Sequence, residues 1–124
     1  MGKLLLIAFG GAAGALCRHW LMNAVNTWHH VLFPYGTLAV NVIGSLFIGI
    51  MYVLIVEKLS LHADWRNITI IGFLGAFTTF STFSLEAVTL LENGQIMTAL
   101  VYVLSSVVLC IIAVWVAMIL TRLV

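Results

Sequence analysis

Charge is what this sequence has least of. Its five Lys and Arg and four Asp and Glu make up 7% of 124 residues, where a soluble domain carries about 25%. Hydrophobic residues reach 64%. A chain of this length cannot bury that much apolar surface in water, so a soluble fold is excluded. The few basic residues are scattered, which excludes the basic stripe a nucleic-acid partner requires. Cysteine occurs twice, as Cys17 and Cys110, each inside an apolar segment. Two such residues exclude a disulfide scaffold and read as small packing groups. Proline occurs once, at Pro34, so long helices are free of proline breaks.

What is abundant is hydrophobicity in long runs, with a mean hydropathy of +1.22. Four runs reach the roughly 20 residues that cross a bilayer as a helix. They cover residues 4–25, 35–56, 68–91 and 96–120. The chain reads as an all-α membrane protein with a single four-helix domain over residues 1–124. NTWHHVLFP (26–34) separates the first two runs. Its adjacent His29 and His30 read as ordinary loop histidines rather than metal ligands. EKLSLHADWRN (57–67) holds four of the nine charged residues and reads as the main solvated loop. ENG (92–94) reads as a tight hairpin that makes the third and fourth helices antiparallel neighbours. The first run is too long for a secretory signal and carries Arg18 and His19 near its far end. Lys3, Lys58, Arg66 and Arg122 fall on the side shared by the termini and the central loop. The positive-inside rule then favours termini in the cytoplasm, although Arg18 lies towards the opposite side and Glu57 and Asp64 sit beside the four basic residues.

Small residues recur at helix-packing spacings: Gly10-xxx-Gly14, Ser45-xxx-Gly49, and Gly72 with Gly75. Such spacings let backbones approach closely in lipid. Four short helices enclose little space, so a transport path calls for an oligomer, most simply a symmetric dimer.

The chemistry concentrates in FLGAFTTFSTFSLE (73–86). Five hydroxyl residues and two phenylalanines occupy the seven positions from Thr78 to Ser84, and Glu86 follows. On an ideal helix Thr78, Ser81, Thr82 and Glu86 share one side, while Phe80 and Phe83 lie together on another. A carboxylate at that depth costs about 2.5–3.5 kcal/mol and ordinarily faces a cavity or an ion path. Glycines and paired threonines also make the run a poor continuous helix. A break would free backbone groups, which membranes tolerate where those groups line a cavity or hold an ion. Phenylalanine edges are partly positive and faces partly negative, so the residues by themselves fit either an anion or a cation. Asn41 is the one amide in the middle of a membrane segment and both donates and accepts. Tyr102, Ser105 and Ser106 are weaker polar signals in the fourth helix.

GGAAGALCRHW (10–20), GTLAVNVIGSLFIG (36–49) and GFLGAFTTFSTFSLE (72–86) together resemble the CrcB/Fluc family of fluoride channels, over the whole four-helix length. The resemblance implies an antiparallel, dual-topology homodimer in the bacterial inner (plasma) membrane, with fluoride, the bilayer and a second copy of the chain as partners. It implies a break in the third helix near Gly75–Thr78. Phe80 and Phe83 would present ring edges to fluoride, and Asn41 would be the pore-lining amide. Ser81, Thr82, Ser84 and Glu86 would form or flank a polar track, with Tyr102 on the pore. Arg18 would stand near an aqueous vestibule, attracting anions or snorkelling to the interface. Backbone carbonyls of Gly75 and Thr78 from both subunits would hold one structural Na⁺, with no organic cofactor. The implied activity is passive, fluoride-selective export that confers fluoride resistance, not an enzymatic reaction. Two other classes stand beside it. A small multidrug-resistance-type proton/cation exchanger needs an embedded carboxylate in its first helix, where this chain has none. A non-transporting assembly protein accounts for the glycines but not for the hydroxyl strip.

Overall fold

The structure is a computed structural model and describes residues 1–28 and 32–124. His29 and His30 lie outside the described residues. Helix α1 covers Gly2–Trp28. Helix α2 covers Tyr35–Tyr52 and is prolonged by wide, π-type turns over Val53–Lys58. A short α3 (Ala63–Arg66) runs into a second wide-turned stretch, Asn67–Leu74, and then into α4 (Gly75–Phe77). After a break, α5 covers Phe80–Glu92 and α6 covers Ile96–Leu123. These elements make four helices long and apolar enough to cross a membrane, and no strand occurs among the described residues. Large apolar side chains such as Phe9, Leu104, Ile111 and Trp115 point outward, as lipid-facing side chains do.

The connections follow from local chemistry. Pro34 immediately precedes α2, where a missing N–H leaves no helical bond unmade. Between α5 and α6, Gly94 adopts φ 74°, the left-handed conformation that ends a helix. Gly94 N–H donates to the Leu91 carbonyl at 3.0 Å and Gln95 N–H to Leu90 at 2.9 Å. The ENG turn is therefore the tight hairpin expected, and α5 and α6 pack as neighbours through Phe83, Ala87, Leu90, Ala99 and Tyr102.

The central loop is shorter than the 57–67 reading. Helical turns persist through Lys58 and resume at Ala63. Glu57 stays helical beside a partner from the end of α6. Arg122 Nε donates to Glu57 Oε2 at 2.8 Å and Nη2 to Oε1 at 2.7 Å. This two-pronged pair ties the ends of α2 and α6 together.

Glycines set the closest approaches. A Cβ on Gly10 would strike the Ile68 carbonyl oxygen, and one on Gly14 would strike the Phe73 carbonyl oxygen. Helix α1 thus lies backbone to backbone on the Asn67–Leu74 stretch that leads into the break. Gly49 similarly seats α2 on α6, since its Cβ would stand 2.7 Å from the Val114 carbonyl oxygen.

Gly14→Ala is expected to destabilise the fold by about 1–3 kcal/mol through overpacking. Gly11→Ala should not, because its Cβ would meet nothing nearer than 3.9 Å. Thermal unfolding of the two variants in detergent, followed by circular dichroism, separates them; equal melting temperatures would contradict this packing.

Candidate functional site

The break is built from two threonines. Thr78 (φ −80°, ψ 157°) and Thr79 (φ −147°, ψ 117°) are extended, while Phe77 before them and Phe80 after them are helical. The interruption therefore sits at Thr78–Thr79, at the far end of the expected Gly75–Thr78 window. Thr79 caps the helix that restarts: its Oγ1 accepts from the Thr82 N–H at 3.2 Å. The same hydroxyl donates to Thr82 Oγ1 at 3.0 Å and lies 3.3 Å from Ser81 Oγ. Because the backbone is extended at Thr78, that residue does not continue the Thr82–Glu86 ladder as it would on an unbroken helix.

An extended residue inside a membrane needs partners for its backbone. Asn41 of α2 supplies both for Thr79. Its Nδ2 donates to the Thr79 carbonyl at 3.0 Å, and its Oδ1 accepts from the Thr79 N–H at 2.8 Å. In a continuous helix that N–H would close onto the Gly75 carbonyl. The Thr78 carbonyl faces Arg18, whose Nη1 donates to it at 3.4 Å. Gly44 lets α2 come this close, since a Cβ there would collide with Thr78 Cγ2 and reach 3.1 Å from the Phe77 ring.

A cavity of about 280 Å³ opens beside the break. Asn41, Thr79, Phe80, Phe83, Ser106 and Cys110 are among its lining residues. The two phenylalanine rings stand 5.4 Å apart at 45°. Phe80 is 78% exposed on the single chain, whereas Phe83 is 8% exposed. Ser106 is 5% exposed, and its Oγ has no hydrogen-bond partner among the described residues. The groups named here are an amide, hydroxyls, a thiol and two phenylalanine rings, and none carries a formal charge. A small ion can exchange water for such groups without being trapped by an opposite charge.

Behind Phe83 lies the carboxylate. Thr37 Oγ1 donates to Glu86 Oε1 at 2.8 Å, and Tyr102 OH donates to Glu86 Oε2 at 2.7 Å. Both Glu86 oxygens therefore have donors, which answers the cost of placing a carboxyl group there. Tyr102 is fully buried. Its ring lies 5.2 Å from that of Phe83 and meets Phe33 edge-on at 5.5 Å. Phe83 thus joins the cavity to the Glu86 cluster.

The remaining expected residues divide. Thr82 and Ser81 gather around the Thr79 hydroxyl. Ser84 instead bonds back to the Phe80 carbonyl at 2.9 Å, the self-satisfied arrangement common for hydroxyls in helices. Thr37 was not singled out in the sequence. Its signal was the four-residue spacing Thr37, Asn41, Ser45, which lines one side of α2. Cys110, read as a packing residue, lines the cavity.

Asn41→Leu leaves the Thr79 N–H and carbonyl unpaired at a cost of about 1–3 kcal/mol for each group. The variant should unfold at distinctly lower temperature in detergent. An unchanged melting temperature would mean that the break does not need the amide.

The comparisons with known proteins agree with one another. Residues 5–118 match the family described as CrcB-like protein, Camphor Resistance (CrcB). The chain is 50% identical over 120 residues to the fluoride-specific ion channel FluC of Methylococcus capsulatus, covering 97% of this chain and 53% of that protein. It therefore spans about half the length of that relative. It is 46% identical over 121 residues to the fluoride-specific ion channel FluC of Hahella chejuensis, covering 98% of this chain and 95% of that protein. A FluC of Magnetococcus marinus is 43% identical over 118 residues, covering 95% and 96%. With four helices able to span a bilayer and a family match over nearly its whole length, the chain belongs to the CrcB-like family of membrane proteins.

Proposed function

We propose that this protein is a fluoride-selective passive ion channel that lets F⁻ leave the cytoplasm. The observation that carries the reading is the cavity at the break, where an amide, an unpartnered hydroxyl and two phenylalanine rings converge. Relatives named as fluoride-specific ion channels, alike over nearly the whole chain, support it.

Fluoride is small, strongly hydrated and a strong hydrogen-bond acceptor. Stripping its water requires donors in return. Asn41 has two amide hydrogens, and one of them bonds Thr79. The Ser106 hydroxyl and the edges of Phe80 and Phe83 supply further positive ends. Ser81, Thr82 and Glu86, with Thr37 and Tyr102 around the carboxylate, extend the polar track along α5. Arg18 draws anions toward the vestibule. Hydrogen fluoride enters cells as a neutral acid and ionises at near-neutral pH. An inside-negative potential then drives the anion out through a passive path, with no ATP and no catalytic step.

The working unit is an antiparallel homodimer in the inner membrane. In support, Phe80, which lines the cavity, is left uncovered by its own chain. A single structural Na⁺ would be held by the carbonyls of Gly75 and Thr78 from both subunits. Carbonyl oxygens suit a hard cation, and the Thr79 N–H that would bond Gly75 is turned to Asn41; the Thr78 carbonyl also accepts from Arg18 at 3.4 Å, so the ion would share that oxygen with a guanidinium. When bound, the ion supplies a positive charge that holds the two breaks together.

The test is fluoride efflux from liposomes loaded with KF, with a potassium ionophore to carry balancing current and KCl as the control. Rapid fluoride loss that depends on the ionophore, with little chloride loss, is expected. Phe80→Ile and Phe83→Ile should each reduce efflux by about tenfold or more, because an aliphatic side chain has no positive edge. Wild-type efflux in both would refute the ring-edge account. Glu86→Gln should keep appreciable conduction, since a channel needs no proton carrier. Complete loss, with proton-coupled cation transport by the parent, would favour an exchanger.

A further inference from the structure

Cys110 stands one helical turn beyond Ser106 on α6, and both line the cavity at the break. Its thiol is free. Ser106 is 5% exposed, and its hydroxyl has no partner among the described residues. A buried donor of that kind is normally satisfied by a protein group or by ordered water, and Ser106 lines the cavity. The other cysteine, Cys17, lies exposed on α1 and is not among the residues lining the cavity.

We propose that Cys110 is a modification site inside the conduction path, where a small thiol-specific electrophile caps the sulfur and closes the channel. This rests on the channel reading above. A turn of helix rises about 5.4 Å, so a group added at Cys110 competes for the same volume as an ion held near Ser106. The cavity is small, about 280 Å³, and is also bounded by the Phe80 and Phe83 rings. Uncharged methyl methanethiosulfonate is small enough to enter such a space. The thiol loses its proton to water, and the thiolate, the nucleophilic form, attacks the reagent's sulfenyl sulfur. A disulfide forms between Cys110 Sγ and the methylthio group. The sulfur–sulfur bond of the reagent breaks, and its electron pair leaves with methanesulfinate. A dithiol reductant reverses the cap by exchange.

The experiment uses the full chain carrying Cys17→Ser, reconstituted for the fluoride efflux assay. Treatment should add one methylthio group to Cys110 by intact mass and lower efflux about tenfold, as expected for a narrowed path. Dithiothreitol should restore it. In the chain carrying both Cys17→Ser and Cys110→Ser, efflux should be the same before and after reagent. Full capping with undiminished efflux would overturn the proposal. So would a Cys110 that stays uncapped in the folded protein under conditions that cap it after unfolding. Absence of efflux before any reagent is added would sink the channel reading itself, and is thereby distinguished from a loss confined to treated protein.

Discussion

The pair of hydrogen bonds between the Asn41 side chain and the Thr79 backbone is the constraint from which the rest of the site follows. A chain that leaves the helical path inside a membrane has no water to satisfy the groups it frees. Asn41 meets both needs at one residue, accepting from the Thr79 N–H at 2.8 Å and donating to its carbonyl at 3.0 Å. That lets Thr79 stay extended and cap the next helix with its hydroxyl. The cap sets where α5 begins, and therefore where Phe80 and Phe83 point. Gly44 is part of the same arrangement, since any Cβ there would push α2 away from Thr78.

From Phe83 the consequences reach the carboxylate. Its ring packs on Tyr102, and the Tyr102 hydroxyl holds one oxygen of Glu86 while Thr37 holds the other. Two helices besides α5 thus fix one acid. Glu86 has hydroxyl donors in place of a basic partner at both oxygens, so its place on the polar side of α5 requires no buried cation. The full ion pair between Arg122 and Glu57 is kept instead at the helix ends, where both side chains are partly exposed and where it secures α2 to α6.

Much of this was legible in the sequence because it is local. Four apolar runs, the ENG turn and the unusual density of hydroxyls after Gly75 are patterns within a few residues of one another. Paired threonines after glycines mark this run as a poor continuous helix, while the Gly75–Thr78 window comes from the family resemblance and ends on the first of the two extended residues. The long-range facts were not legible. Nothing near Glu57 signals that Arg122, far along the chain, keeps its turn helical. Thr37 reads alone as a hydroxyl bonded to its own helix, and only the folded chain turns it to Glu86. The role of Asn41 was visible as an amide in an apolar segment, but its clamp on a backbone 38 residues away was not.

That clamp also restricts the amide itself. A free side-chain amide in a pore wall would turn toward whatever acceptor comes near, its own carbonyl neighbours included. Asn41 cannot turn without breaking two bonds to Thr79, so its remaining N–H keeps one direction. The residue that stabilises the break therefore also stands in the cavity wall with its amide fixed in orientation. Preorganised donors bind without the cost of reorganisation and, being uncharged, release as readily. Ser106, with its buried and unpartnered hydroxyl, stands on α6 in the same wall. Arg18, the nearby full positive charge, is held at the Thr78 carbonyl and is not among the residues that line the cavity. The full charge and the neutral dipoles are thus kept apart, Arg18 at the Thr78 carbonyl and Asn41 at Thr79 in the cavity wall.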